Sequence, residues 1–125
     1  MRHDNFIHLA EKVASLSTHY NKVGAIITRG RRVISIGINK NKSHRKQINH
    51  HTDVIGSKIH AELDAVIKAP YFLLEGSDIY VVRLLRNNNM GLARPCKSCI
   101  IILRQYKIKH MIYSINEGWK KEKVY

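Results

Sequence analysis

Apolar and polar positions alternate along this chain with two different periods. Phe6, Leu9, Ala10, Val13, Ala14 and Leu16 recur at helical spacing, with Asp4 placed to cap them, so a first helix is predicted over Asp4–Leu16. His19 to Asn21 breaks the pattern. Val23–Thr28 is a short apolar run of the kind a buried strand gives. Arg32–Ile38 follows the turn residues Arg29-Gly30-Arg31, and the two runs read as a hairpin ending at Gly37-Ile38-Asn39. Lys40–Lys58 is polar, basic and aperiodic, a loop long enough to suggest a role. Helical spacing returns over Lys58–Lys68 and stops at Pro70.

Gly76 leads into a third strand, Asp78–Leu85. Arg86–Arg94 is a second basic loop, with turn chemistry in Asn87-Asn88-Asn89 and Gly91. Pro95 suits the start of a third helix, Cys96–Tyr106, and His110–Ser114 is a fourth strand. The residues after Ser114 are too few for a parallel crossover and a strand. A fifth strand must therefore return through Asn116-Glu117-Gly118 as a short antiparallel partner. The predicted fold class is α/β: a three-layer arrangement with a mixed five-stranded sheet between helices, in a single domain over residues 1–125. No repeat, low-complexity segment or linker interrupts it.

Composition narrows the partners. There are 22 Lys+Arg against 9 Asp+Glu, a net charge of +13. Such a charge favours polyanions, nucleic acid above all, although solubility alone is the plainer use of it. No apolar run approaches the ~20 residues of a membrane span, and the first residues do not form a signal-peptide core. An intracellular protein, cytoplasmic or nuclear, with no membrane partner is expected.

The two cysteines, Cys96 and Cys99, are too close for a disulfide to restrain the chain. In an intracellular protein they read better as metal ligands or a redox pair. His60-Ala61-Glu62 opens the second predicted helix and Pro95-Cys96-Lys97-Ser98-Cys99 opens the third. His-x-Glu followed by Pro-Cys-x-x-Cys is the signature of zinc-dependent nucleobase deaminases. The chemistry explains the spacing. A catalytic zinc takes about three protein ligands and keeps one position open, which His60, Cys96 and Cys99 satisfy with one Zn2+ per chain. Thiolates at i and i+3 share one helix face, and a helix N-terminus favours the thiolate. Glu62, two residues from His60, lies near the metal without having to ligate it and can act as general acid and base. A structural zinc would need a fourth ligand, for which His44, His50, His51 or His110 would have to serve. A thiol–disulfide centre would leave His-Ala-Glu unexplained.

On these motifs the chain resembles the cytidine deaminase-like superfamily. That group includes cytidine and deoxycytidylate deaminases, tRNA adenosine deaminases and polynucleotide cytosine deaminases. The resemblance also takes in the first helix, Lys22-Val23-Gly24-Ala25 and Gly37-Ile38-Asn39. It implies a five-stranded mixed sheet between helices, a substrate contact from Asn39, and a backbone amide from Ala61 for the base carbonyl. Pro95 joins the substrate-binding set with them. The chain departs from the pattern in its two basic loops and in lacking the final helix of the tRNA enzymes, which favours a cytosine-type base over adenine. If the loops meet at the pocket, Lys42, Arg45, Lys46 and Arg94 would contact phosphate or backbone, and His44, His50, His51, Tyr71 and Phe72 could stack on bases. The substrate is then a free nucleotide or a base within single-stranded nucleic acid. A reading of another class is a non-catalytic nucleic-acid-binding module with a structural zinc. The resemblance admits a homo-oligomer, against which +13 per chain would act by repulsion.

Overall fold

The structure is a computed structural model that describes residues 2–17, 22–39, 60–85, 87 and 89–124. Helix α1 (Arg2–Ser15) leads to strands β1 (Lys22–Arg29) and β2 (Arg32–Ile38). Helix α2 (Ala61–Lys68) is followed by a single 3-10 turn (Tyr71–Leu73), then β3 (Asp78–Leu84) and the two-residue β4 (Met90–Gly91). Helix α3 (Lys97–Gln105), β5 (His110–Ile115) and β6 (Gly118–Lys123) complete the order. Helix α1 begins before Asp4, which falls in the first turn and not at the cap. The Lys40–Lys58 segment lies outside the described residues.

The sheet runs β2-β1-β3-β5-β6, with β4 pairing the end of β3. Only β3 and β5 are parallel, joined through the crossover helix α3, and every other pair is antiparallel. The last strand returns antiparallel, as the short connection required, and runs six residues along the whole of β5. The sixth strand is β4, inside the segment expected as a loop. At two residues it is too short to show any periodicity. Ser114 Oγ donates to the Gly91 carbonyl at 2.7 Å and receives the Arg83 amide at 3.1 Å, fixing that segment to β3 and β5.

Period-two alternation sorts the strands onto two faces. Ala25, Ile27, Ile79, Val81, Met111 and Tyr113 pack with Ala61, Leu63, Ala65, Ile102 and Leu103 from α2 and α3. Ile26, Tyr80, Val82 and Ile112 face Ala10, Val13 and Ala14 of α1. The sheet is thus buried on both sides between helices, which explains why its central strands are nearly continuous apolar runs. Two glycines set how closely the helices approach. A Cβ on Gly24 would lie 2.3 Å from the Ala14 nitrogen of α1. One on Gly37 would lie 2.4 Å from the Ala65 nitrogen and 2.5 Å from the Ala61 carbonyl oxygen of α2.

Candidate metal centre

The parallel β3–α3–β5 unit and the approach of α2 to β2 bring two helix starts together. His60 is the N-cap residue of α2, with extended backbone, and its carbonyl accepts the first helical hydrogen bond from Asp64. Cys96 holds the same position on α3, and its carbonyl accepts from Ile100. Pro95, buried just before it, cannot donate a backbone hydrogen bond and sits where none is needed. The helices therefore begin one residue beyond the metal-type side chains, slightly later than the apolar period alone suggests.

One ligand-type atom from each of His60, Cys96 and Cys99 lies within 4.8 Å of the others. Among the described residues this is the only group of three or more such side chains so placed. The His60 Nδ1 is 3.3 Å from the Cys99 sulfur and 3.6 Å from that of Cys96. Cys96 is exposed, His60 half-buried and Cys99 buried. The Cys96 thiol is brought down to about 4, chiefly by its hydrogen bond from Cys99 and further by His60. Cys99 is pushed upward by that same hydrogen bond and by burial. Cys96 is thus the thiolate of the pair and Cys99 holds the proton that a metal ion would displace.

Two sulfurs and an imidazole nitrogen suit a borderline-soft divalent ion such as zinc, and three protein donors leave room for a further ligand. The histidines considered as a fourth ligand do not join them among the described residues. His110 lies at the start of β5, 3.0 Å from an Asp78 oxygen, and His44, His50 and His51 lie outside the described residues.

Glu62 follows on the first turn of α2 and is 6% exposed. Burial raises its carboxyl above the usual range, with His60 opposing the rise and Cys96 adding to it. Ala61 is the buried first residue of the helix, where backbone amides have no partner within the helix. Asn39 directly follows the last residue of β2, Ile38. Its side-chain oxygen accepts from Ser17 Oγ at 2.7 Å and from the Val23 amide at 3.0 Å.

Arg94 is paired with Glu122 of β6, Nε to carboxylate at 2.8 Å. Tyr71 and Phe72 are exposed and stack edge to face beyond the C-terminal end of α2, the opposite end from His60. Lys42, Arg45 and Lys46 lie outside the described residues.

The structure adds residues that sequence reasoning missed. Asp64, two residues after Glu62 and 5% exposed, accepts the Ile38 amide at 3.0 Å and the Lys68 ammonium at 2.9 Å. It ties the end of β2, and so Asn39, to the helix carrying Glu62. Ser17 fixes Asn39 from the other side. The only sequence signal for Asp64 was an acid on an otherwise apolar helix face with a lysine four residues on.

Similarity to known proteins agrees with this geometry. No curated protein matches the chain in sequence. In structure it is similar to a dCMP deaminase from the cyanophage S-TIM5, at TM-score 0.64 and 21% identity, covering 90% of this chain and 81% of that one. A cytidine deaminase from Mycobacterium leprae aligns at TM-score 0.59 and 15% identity over 97% and 93%. A structure of tRNA:A34 deaminases, which perform A-to-I editing at the wobble position of transfer RNA, aligns at TM-score 0.57 and 22% identity over 90% and 76%. At these identities the likeness establishes the cytidine deaminase-like fold. Residues 1–115 match the family described as the cytidine and deoxycytidylate deaminase zinc-binding region, and the His/Cys/Cys cluster accounts for one zinc ion per chain. The chain therefore belongs to the zinc-binding cytidine and deoxycytidylate deaminase family.

Proposed function

We propose that this protein hydrolytically deaminates a cytosine-type base, replacing the exocyclic amine by a carbonyl oxygen and releasing ammonia. The observation that carries the reading is a buried carboxyl, Glu62, two residues along α2 from His60 of a three-donor cluster. A structural zinc site has no use for such a group. His60, Cys96 and Cys99 would hold the ion, and when bound it supplies Lewis acidity that brings the pKa of water near neutrality. Glu62 takes a proton from the attacking water and delivers it to the ring nitrogen, then takes the proton of the hydroxyl added to the ring carbon and gives it to the amine, which leaves as ammonia while the carbonyl forms. Its burial makes it a stronger proton acceptor than an exposed carboxylate. The amide of Ala61 would donate to the base carbonyl, with Pro95 also in contact with the substrate. Asn39, held by Ser17 and Val23, donates its amide to the sugar or base.

The antiparallel return of β6 and the similarity to dCMP and cytidine deaminase structures support cytosine over adenine. The test is ammonia release from zinc-loaded protein given cytosine, cytidine, deoxycytidylate, a cytosine oligonucleotide and adenosine-containing RNA. Release from cytosine substrates is expected. Release only from adenine would overturn the base assignment, and none from any substrate would favour a non-catalytic zinc module.

A further inference from the structure

Between α3 and the edge strand β6 lies an open cleft of about 560 Å³. One wall follows α3 from its first residue, Lys97, to its last turn at Arg104. The other carries Glu122 and Lys123 of β6, and Arg94 also lines the cleft. The single acid among these, Glu122, is already neutralised by Arg94 and also receives the Tyr113 hydroxyl. These contacts bring its carboxyl down to about 2, so it stays charged and paired throughout the neutral range. Among the described residues no acid pairs with Lys97, Arg104 or Lys123. Arg104 spends one N–H on the Val124 carbonyl at 2.7 Å, which fixes its guanidinium, and has further donors to offer. Between the charges the lining is apolar, with Ile101 itself 38% exposed.

A basic rim around an apolar floor suits a strand that presents phosphates outward and bases inward. A second copy of this chain is a poor occupant, because each copy brings +13. The position matters as much as the charge. Lys97 directly follows the ligand Cys96, so the cleft begins one residue from the metal centre. At 1.5 Å per residue the nine residues of α3 extend about 13 Å, enough for roughly two or three phosphates. We infer that this cleft takes the phosphate backbone of a single-stranded polynucleotide whose target base enters the zinc site. The inference rests on the deaminase reading for the base, and it names the form in which that base is presented.

The test is binding, so that it does not depend on turnover. Fluorescence anisotropy of labelled oligodeoxycytidine and oligocytidine is followed across a salt series for zinc-loaded wild type, K97Q/K123Q and the control K12Q/R31Q. The control removes the same charge from the exposed Lys12 and Arg31, outside the cleft. The log–log salt slope should fall in the cleft variant by about 1.4, at about 0.7 per lost phosphate contact, so that a fourfold rise in salt weakens it about sevenfold less than wild type. The control should keep the wild-type slope, and zinc content should be equal in all three. K123Q alone, away from the cysteines, should lose half of the effect.

An unchanged slope in the cleft variants, or an equal fall in the control, would overturn the inference. So would the absence of oligonucleotide binding by the wild type, or displacement by polyglutamate as effective as by oligonucleotide. Deamination of mononucleotides without oligonucleotide binding would leave the deaminase reading standing and remove this one. Cleft-dependent binding without deamination of any cytosine substrate would overturn the deaminase reading and with it the entry of a target base into the zinc site, leaving only the hold of the cleft on the backbone.

Discussion

Replacing Gly37 by alanine tests whether the approach of α2 to β2 positions the metal centre. The new Cβ would meet the Ala65 nitrogen at 2.4 Å, the Ala61 carbonyl oxygen at 2.5 Å and the Ala65 Cα at 2.9 Å. All three are backbone atoms of α2, so no side chain can swing aside. The helix or the strand must retreat by roughly 1 Å, and overpacking of this kind costs about 1–3 kcal/mol. The retreat also displaces Ala61, which lies between His60 and Glu62. A misplacement near 1 Å can cost about 10²-fold in rate. Denaturant unfolding, zinc content and ammonia release on Gly37→Ala should therefore show a lowered midpoint and a disproportionate loss of turnover. Gly24→Ala is the comparison. It meets the backbone of α1 at 2.3 Å on the opposite face of the sheet, and should lose similar stability with a smaller loss of turnover. Wild-type stability and activity in Gly37→Ala would refute the argument, as would identical activity losses in the two variants.

Three further outcomes follow from the same contacts. Cys99→Ser should lose most of its zinc by metal analysis, because it removes the buried member of a three-donor set; full retention would remove Cys99 from the ligands. Asp64→Ala should destabilise the fold by about 1–3 kcal/mol, since it strands the Ile38 amide, and should raise KM by loosening Asn39; chemical denaturation and steady-state kinetics measure both. Glu122 has its pKa depressed to about 2, chiefly by the Arg94 hydrogen bond. A lowered folded pKa stabilises above the unfolded carboxylate range and is lost as pH falls through the folded value. Between about pH 4.5 and 2 the wild type should lose stability that Glu122→Gln lacks, with the gap held to roughly 1 kcal/mol or less by solvent screening of this partly exposed pair.

What was legible in the sequence was what depends on local period and short spacing. The two faces of the sheet follow from runs such as Ala25-Ile26-Ile27 and Ile79-Tyr80-Val81-Val82. The cluster follows from two motifs whose ligands lie two to three residues from a partner or helper. The antiparallel β6 follows from a simple length constraint. Contacts between distant segments were not legible. Nothing local marks Ser17 as the clamp on Asn39, or Asp64 as the acceptor for a strand amide 26 residues away. Gly37 could be read as turn chemistry, although its role is to make room for a helix. Arg94 was expected at the phosphate, and its partner Glu122 lies 28 residues further along. Charge patterning along the chain could not show that the β6 return would bring the two together.

On the proposed reading, Glu62 moves protons beside a zinc held by other residues. Zinc content and ammonia release measured together on Glu62→Ala test it most directly. The account predicts a folded protein with one zinc per chain and turnover reduced by at least about 10²–10⁴-fold on a cytosine substrate. Loss of the metal in that variant, or turnover close to wild type with the metal retained, would contradict it.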